Sequence, residues 1–356
     1  MKGNEAMAEA AIRAGCRYFF GYPITPQSEL LEYMAKHMAE HGGVFLQAES
    51  EVSAINMVYG AAGAGARVMT ATSSPGFSLM QEGISYMAGA ELPAVLVNVV
   101  RGGPGLGGLQ PAQSDYFQAT KGGGHGDYRL VVLAPSSPQE AADLVYEAFD
   151  VADRYRNVVL ILADSILAQA MEPVELPPPR DPAGLPAKPW ATVGRGRRQE
   201  TNVVNSLYLA AEDLWALNQR LQAKYRRIEA EETRWEEEGA EGADWLVVAY
   251  GSMARIALAA IRQVRREDGL RVGLFRPISL WPFPARPLAR RAAASRGVLV
   301  LEMSAGQMVE DVRLAVEGAV PVRFFGKTGG VVPEVEEAVE AIRRMVAETA
   351  PHPAHR

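Results

Sequence analysis

The sequence predicts an α/β protein of two units joined by a connection of different character. Three observations carry that reading. Short apolar runs alternate with stretches of helical period through the first half, a proline-rich segment interrupts the pattern, and the alternation resumes at Trp245.

In the first unit the apolar runs at Arg17–Phe20, Val44–Gln47, Arg67–Ala71, Ala94–Val100, Leu130–Ala134 and Asn157–Ala163 are expected strands. Helical patterns separate them at Gln27–Glu40, Glu51–Ala64, Phe77–Gly89 and Pro138–Val151. This spacing suits parallel strands with crossover helices, which gather binding loops beyond the strand C-terminal ends. Met171–Glu200 is first proline-rich and then strongly polar, a semi-rigid connection because proline fixes φ and removes a donor. Thr201–Glu238 is expected to be helical, its leucines and aromatics recurring near the helix period among Arg and Glu. The second unit opens with a strand entering a small-residue turn, Trp245–Ser252, and a helix at Ala254–Glu267. Further strands are expected at Arg271–Phe275, Gly297–Glu302 and Val322–Gly326. The organisation is therefore 1–171 for the first unit, 172–200 linker, 201–240 charged helical connection, 241–347 second unit and 348–356 tail.

Composition narrows the function. A chain of 356 residues with 48% hydrophobic composition supports two substantial cores. Its net charge of −6 argues against a broad nucleic-acid surface. Cys16 is the one cysteine, so there is no intrachain disulfide, and a lone thiolate cannot hold an iron–sulfur cluster; any cluster belongs to a partner. The N-terminus reads as a charged amphipathic helix without a signal-peptide core, and no apolar run reaches the roughly 20 residues of a membrane span, so cytoplasmic residence is expected.

Several residues are candidates for chemistry. In GYPITPQSE, Pro23 and Pro26 restrict the backbone around Thr25, whose hydroxyl either contacts a small acid or caps the helix near Gln27. Glu51 opens a helix rich in small residues; its carboxylate either enters an interface or caps the surface. Thr70–Gly83 places hydroxyls and a glycine before a helix, where free amides can hold an anion, without the spacing or lysine of a P-loop. Arg101 follows an apolar run and opens a glycine-rich loop: its planar fork suits a carboxylate, or an interface salt bridge. His125 lacks the Cys/His spacing of a zinc site and is read as a loop or interface residue, and no metal ligand is assigned to this chain.

Taken together, KGNEAMAEAAIRAG at Lys2–Gly15, GYPITPQSE at Gly21–Glu29, QAESEVSAINMVYGAAGAGAR at Gln47–Arg67, TSSPGFSLMQEGISYMAGAELP at Thr72–Pro93 and FRPISLWPFP at Phe275–Pro284 resemble the α subunit of the 2-oxoacid:ferredoxin oxidoreductases. The branched-chain (3-methyl-2-oxobutanoate) and 2-oxoglutarate members share the pattern best. The resemblance implies a thiamine-diphosphate pyrimidine-binding domain followed by a transketolase C-terminal-like α/β domain. It implies that Glu51 hydrogen-bonds N1′ of the cofactor's aminopyrimidine, with Ser74, Pro75 and Gly76 beside it. Thr25 would lie near the 2-oxoacid, and Arg101 would bind its carboxylate or help position coenzyme A, the co-substrate.

The same resemblance assigns the remaining parts to other chains. No GDG motif with a following asparagine marks the Mg²⁺–diphosphate half of the site, so that half is expected on a β subunit. [4Fe–4S] clusters are expected in β and in a small γ or δ subunit, with ferredoxin as acceptor and a dimer of heteromers as the assembly; neither nucleic acid nor membrane is an expected partner. The loop RGGPGLGGLQPAQSD departs from the RxGPSTGxPTxxxQxD pattern of many 2-oxoglutarate chains, Gly105 and Leu106 replacing a Ser–Thr pair. Two alternatives stand beside this reading: a non-oxidative thiamine-dependent decarboxylase or acyltransferase, and a non-catalytic assembly protein.

Overall fold

The fold is given by a computed structural model that describes residues 1–196, 198 and 200–349. The expected tail, from residue 350 on, and residues 197 and 199 of the linker lie outside the described residues. The first unit comprises α1 (Gly3–Arg13), β1 (Tyr18–Gly21), α2 (Ser28–His37), β2 (Val44–Gln47), α3 (Glu51–Gly63), β3 (Val68–Thr72), α4 (Ser74–Leu79), α5 (Gln81–Gly89), β4 (Ala94–Val100), α6 (Tyr116–Thr120), β5 (Val131–Leu133), α7 (Pro138–Tyr155), β6 (Val158–Asp164) and α8 (Ser165–Gln169). Then follow α9 (Ala211–Glu231), β7 (Trp235–Glu238), β8 (Trp245–Val248), α10 (Gly251–Asp268), β9 (Val272–Pro277), β10 (Ser279–Trp281), α11 (Ala285–Ala293), β11 (Val298–Glu302), α12 (Met308–Val316), β12 (Val322–Gly326) and α13 (Val335–Thr349).

The strands form a seven-stranded sheet in the order β10-β5-β6-β4-β3-β1-β2 and a five-stranded sheet in the order β12-β11-β8-β9-β7. Strands β1 to β6 pair parallel, and β3, β4 and β6 are buried along their whole length because helices cover both faces. Their register sets Thr72 beside Asn98 and Val100 beside Asp164, so the strand C-terminal ends form one rim. One apolar cluster runs from α1 and the first sheet through α9 to β8 and α12; a second fills the space between β8, β11, α10 and α13.

Four sequence expectations need correction. The N-terminal helix α1 is buried almost all round, Ala6, Ala8, Ala10 and Ala11 included; small side chains let it pack closely beneath α7 instead of lying amphipathic at the surface. The helix expected at Phe77–Gly89 starts earlier, at Ser74, and is broken at Met80 into α4 and α5. Thr201–Glu238 is helical only over α9. Residues 201–208 have no regular secondary structure; their exposure alternates, burying Asn202, Val204, Ser206 and Tyr208 in part, a period of two that the local leucines do not follow. Trp235–Glu238 is strand β7, held antiparallel on β9 at a sheet edge where a run of glutamates tolerates water.

The fourth concerns Phe275–Pro284, which serves both sheets. After β9 the chain crosses over, and β10 pairs antiparallel with β5 at the edge of the first sheet. Ala134 N–H donates to Ile278 O at that junction (2.8 Å). The linker also binds to the first unit: Lys188 Nζ lies 2.6 Å from Asp153, beside the buried Arg67 that pairs with Asp150 and Asp153. No helix among the described residues is long and apolar enough to cross a membrane.

Candidate functional site

Parallel pairing brings three segments to one place: the turn after β1, the start of α4 after β3, and the loop after β4. Glu51 joins them as the first residue of α3, one residue after Ser50, whose Oγ accepts from Ser53 N (3.2 Å) and is the true cap. The glutamate is therefore free to turn inward. It is 4% exposed, and its carboxylate makes no hydrogen bond to a described residue. A Cβ on Gly76 would lie 2.3 Å from Glu51 Oε1 and 2.1 Å from Thr72 Oγ1, so this glycine in α4 exists for close approach. Thr72 Oγ1 and Ser73 Oγ beside it are buried without partners.

Arg101 immediately follows β4 and is 8% exposed. Its Nη1 donates to Thr25 O (2.9 Å) and Nη2 to Leu106 O (3.0 Å), while Nε is buried without a partner and no carboxylate of the described residues pairs with the guanidinium. The salt-bridge alternative is thus unfilled within this chain. A buried cation held only by carbonyls is an incomplete arrangement, and an anion completes it.

Thr25 is exposed, and it does not cap α2: Gln27 holds the cap position with no side-chain bond. What fixes the turn is α1. Asn4 Nδ2 donates to Pro26 O (2.8 Å) and to Glu29 Oε2 (2.9 Å), and Lys2 Nζ pairs with Glu29 Oε1 (2.9 Å). The KGNE run thereby holds Thr25 where its carbonyl meets Arg101.

Ser74 and Pro75 are half-buried and Gly76 buried at the start of α4. The Ser74 hydroxyl is already engaged: it donates to Asp115 Oδ2 (2.7 Å) and accepts from Arg101 N (3.0 Å). Asp115, a residue that sequence reasoning missed, also accepts from Asn98 Nδ2 (2.9 Å), and burial pushes its carboxyl up from the ordinary value. The one signal that could have found it is the Gln-x-Asp that closes the loop pattern, kept here as Gln113-Ser114-Asp115.

The loop 103–110 is exposed, with Leu106 83% and Leu109 56% exposed beside Arg101. It doubles back at Gly107, where φ is +60° and a Cβ would strike Gly102 O. His125 is not part of this cluster: it lines a separate cavity of about 650 Å³ with Tyr86, Tyr128 and Leu214, and its carbonyl accepts from Ser85 Oγ (2.7 Å). Glu82, on α5, takes a bond from Tyr86 Oη, a local polar contact. Among the described residues no group of three or more His, Cys, Asp or Glu is placed to hold a metal ion.

Comparison with known proteins adds three findings. The family description "Pyruvate flavodoxin/ferredoxin oxidoreductase, thiamine diP-bdg" matches residues 9–236, and "Pyruvate:ferredoxin oxidoreductase core domain II" matches residues 243–338. The chain is 48% identical over 349 residues to ketoisovalerate oxidoreductase subunit VorB of Methanothermobacter marburgensis, covering 98% of each. It is 40% identical to 2-oxoglutarate synthase subunit KorA of Archaeoglobus fulgidus, covering 94% of this chain and 96% of that one. Among solved structures, 2-oxoglutarate:ferredoxin oxidoreductase from Magnetococcus marinus, with 2-oxoglutarate, coenzyme A and succinyl-CoA bound, superposes at a TM-score of 0.83 and 26% identity. That match covers 97% of this chain and 65% of the solved one. An inactive split-gene transketolase β4 tetramer shares the fold, with a TM-score of 0.63 at 15% identity.

Proposed function

The chain belongs to the thiamine-diphosphate 2-oxoacid:ferredoxin oxidoreductases as a catalytic α subunit, related to the branched-chain and 2-oxoglutarate members, and we propose that it supplies the pyrimidine half of a cofactor site and the anchor for a branched-chain 2-oxoacid. The observation that carries the proposal is a pair of buried residues on one rim: Glu51, whose carboxylate bonds no described residue, and Arg101, whose guanidinium Nε has no partner. The residues fit the cofactor. Gly76 lets the Glu51 carboxylate pack directly against α4, and unpaired hydroxyls at Thr72 and Ser73 beside it offer further contacts.

Thiamine diphosphate bound there supplies the nucleophilic carbon and the electron sink for decarboxylation. Glu51 would hydrogen-bond the ring nitrogen N1′ and so favour the tautomer that reacts; the low-dielectric setting would strengthen that bond. Arg101 takes the substrate carboxylate through the N–H groups it does not spend on the Thr25 and Leu106 carbonyls, which fix the direction of the fork. Thr25 is exposed and its carbonyl meets Arg101, and we assign its hydroxyl to the keto group. Leu106 and Leu109 give this loop an apolar surface, which favours a branched alkyl chain over a second carboxylate.

In this reading the overall reaction is oxidative decarboxylation of the 2-oxoacid with coenzyme A to acyl-CoA and carbon dioxide, two electrons leaving singly to ferredoxin. A β subunit supplies the Mg²⁺–diphosphate half, and [4Fe–4S] clusters lie in β and in a small γ or δ subunit, in a dimer of heteromers. The test is anaerobic co-purification with these partners, followed by coenzyme-A-dependent ferredoxin reduction with 3-methyl-2-oxobutanoate and 2-oxoglutarate. Reduction with the branched acid that is lost in Glu51→Gln supports the proposal. Preference for 2-oxoglutarate overturns the substrate assignment. Carbon dioxide release without ferredoxin reduction favours a non-oxidative decarboxylase, and a loaded complex with no turnover favours an assembly role.

A further inference from the structure

Asp115 occupies a singular place. Its carboxylate reaches into the rim and takes two hydrogen bonds there, from Ser74 Oγ (2.7 Å) and Asn98 Nδ2 (2.9 Å), and Ser74 Oγ in turn receives the backbone N–H of Arg101 (3.0 Å). The residues on either side of it face the other way. Gln113 bonds the second unit at both ends of its amide, Nε2 to Tyr250 O (2.9 Å) and Oε1 from Met303 N (3.0 Å). Gln307 bridges Ser114 O (2.7 Å) and Phe117 N (2.8 Å), and Tyr116 Oη donates to Asp311 Oδ2 (2.6 Å).

We infer that Asp115 is a positioning residue for Arg101, and that the second unit sets its place through the segment 113–117. The inference rests on Arg101 being the substrate anchor. The physical argument is one of constraint. Arg101 is the first residue beyond β4; on its C-terminal side a bridge to Pro111 and the Gly102 N–H bond to Gln110 O (2.9 Å) hold its backbone from the returning end of the exposed loop 103–110. Ser74 does so from the neighbouring segment, but a serine hydroxyl rotates freely unless its proton has a fixed acceptor. Asp115 is that acceptor, and as an ionised group it accepts only, which leaves the Ser74 lone pairs to Arg101 N–H. The carboxylate is held by Asn98 from the middle of the rim and by the second unit through its chain neighbours. A shift in the seam between the units therefore moves the Arg101 fork, and misplacement by a fraction of an ångström lowers substrate affinity before it touches the cofactor.

The test uses the assembled, cofactor-loaded complex, three variants of the Asp115–Ser74 link, and Arg101→Lys as a control. Asp115→Ala is expected to raise KM for the 2-oxoacid at least tenfold while kcat falls less than threefold and KM for coenzyme A stays as in the wild type. Asp115→Asn, whose side-chain oxygen can accept both bonds, is expected to restore KM to within about threefold. Ser74→Ala breaks the same link with little change of volume; it is expected to follow Asp115→Ala and decides the matter where that variant fails to assemble. A 2-oxoacid KM unchanged in Ser74→Ala, or equal loss of kcat and of thiamine binding in all three, overturns the inference. A wild-type complex that turns over no 2-oxoacid defeats the functional reading instead, and an Arg101→Lys variant with altered KM beside an unaltered Ser74→Ala defeats only this inference.

Discussion

Glu51 and Gly76 are in direct apposition: the space a side chain at residue 76 would take is the space of the Glu51 carboxylate, 2.3 Å from Oε1. Gly76 lies within helix α4, where alanine would on propensity alone stabilise by about 1 kcal/mol. Gly76→Ala should nevertheless be harmful, because the methyl group must displace the carboxylate or Thr72 Oγ1. We expect thiamine diphosphate affinity in the assembled enzyme to fall by about tenfold or more, with thermal stability changed by only a few degrees. Titration of the cofactor and a melting curve on the same sample check this; unaltered affinity would remove Gly76 from the site.

Arg101→Lys keeps the charge and loses the fork. A lysine cannot hold two carbonyls and still present a planar pair of donors, so about 1.5–3 kcal/mol of transition-state binding should disappear, roughly 10- to 150-fold in kcat/KM for the 2-oxoacid. The loss should appear in KM for the 2-oxoacid and not in KM for coenzyme A. Steady-state ferredoxin reduction with each substrate varied in turn distinguishes the two.

The alternation of apolar runs and helical stretches located all six strands of the first unit: the inner ones because a buried parallel strand is a short unbroken apolar run, and β2, an exposed edge strand, because its run is apolar too. The place of Glu51 was legible for a different reason: the small-residue run after it reads as a helix, and α3 begins there. What escaped was whatever depended on distant pairing. β10 is three residues of a motif-rich turn until β5 lies beside it, and β7 is a run of glutamates that only β9 makes a strand. Asp115 escaped likewise, since its partners Ser74 and Asn98 are 41 and 17 residues away. Local sequence carries the elements; the contacts that tune the site are set by topology.

Lys224 should make stability depend on pH in the alkaline range. Its side chain is 11% exposed, and burial pushes the ammonium down from 10.5 to about 8 although Glu91 lies 3.4 Å away. Between about pH 8 and 10.5 the unfolded chain therefore binds more protons than the folded one, and stability rises with pH through that window. Below pH 8 the penalty is present in full, on the order of 3 kcal/mol. Relative to Lys224→Met, the wild type should gain stability between pH 8 and pH 10, as read from urea denaturation at each pH. A constant difference across the range would show that the lysine is not desolvated.

Cys16 should be inert in the folded protein. It is fully buried, and burial pushes its thiol up to about 12. A thiol reagent at pH 8 is expected to label no cysteine in the native chain and one after denaturation. Rapid native labelling would contradict the burial of Cys16 in the turn between α1 and β1.

Asn4→Ala and Asn4→Asp separate a hydrogen-bonding role from a packing role. Asn4 is fully buried, and its Nδ2 donates to both Pro26 O and Glu29 Oε2, so alanine forfeits two bonds and leaves a buried carbonyl and a carboxylate short of a donor, about 1–3 kcal/mol. Aspartate fills the same volume but has no donor when ionised, and it sets a second negative charge against Glu29. If the residue only fills space, the aspartate variant should be the milder of the two. If it holds the turn, aspartate should be the worse, and both should raise KM for the 2-oxoacid, because the same turn carries the Thr25 carbonyl that aims Arg101. Melting temperature and 2-oxoacid KM, measured for both variants in the assembled enzyme, give the order. We expect aspartate to be the more damaging, since an uncompensated buried charge costs more than a lost amide.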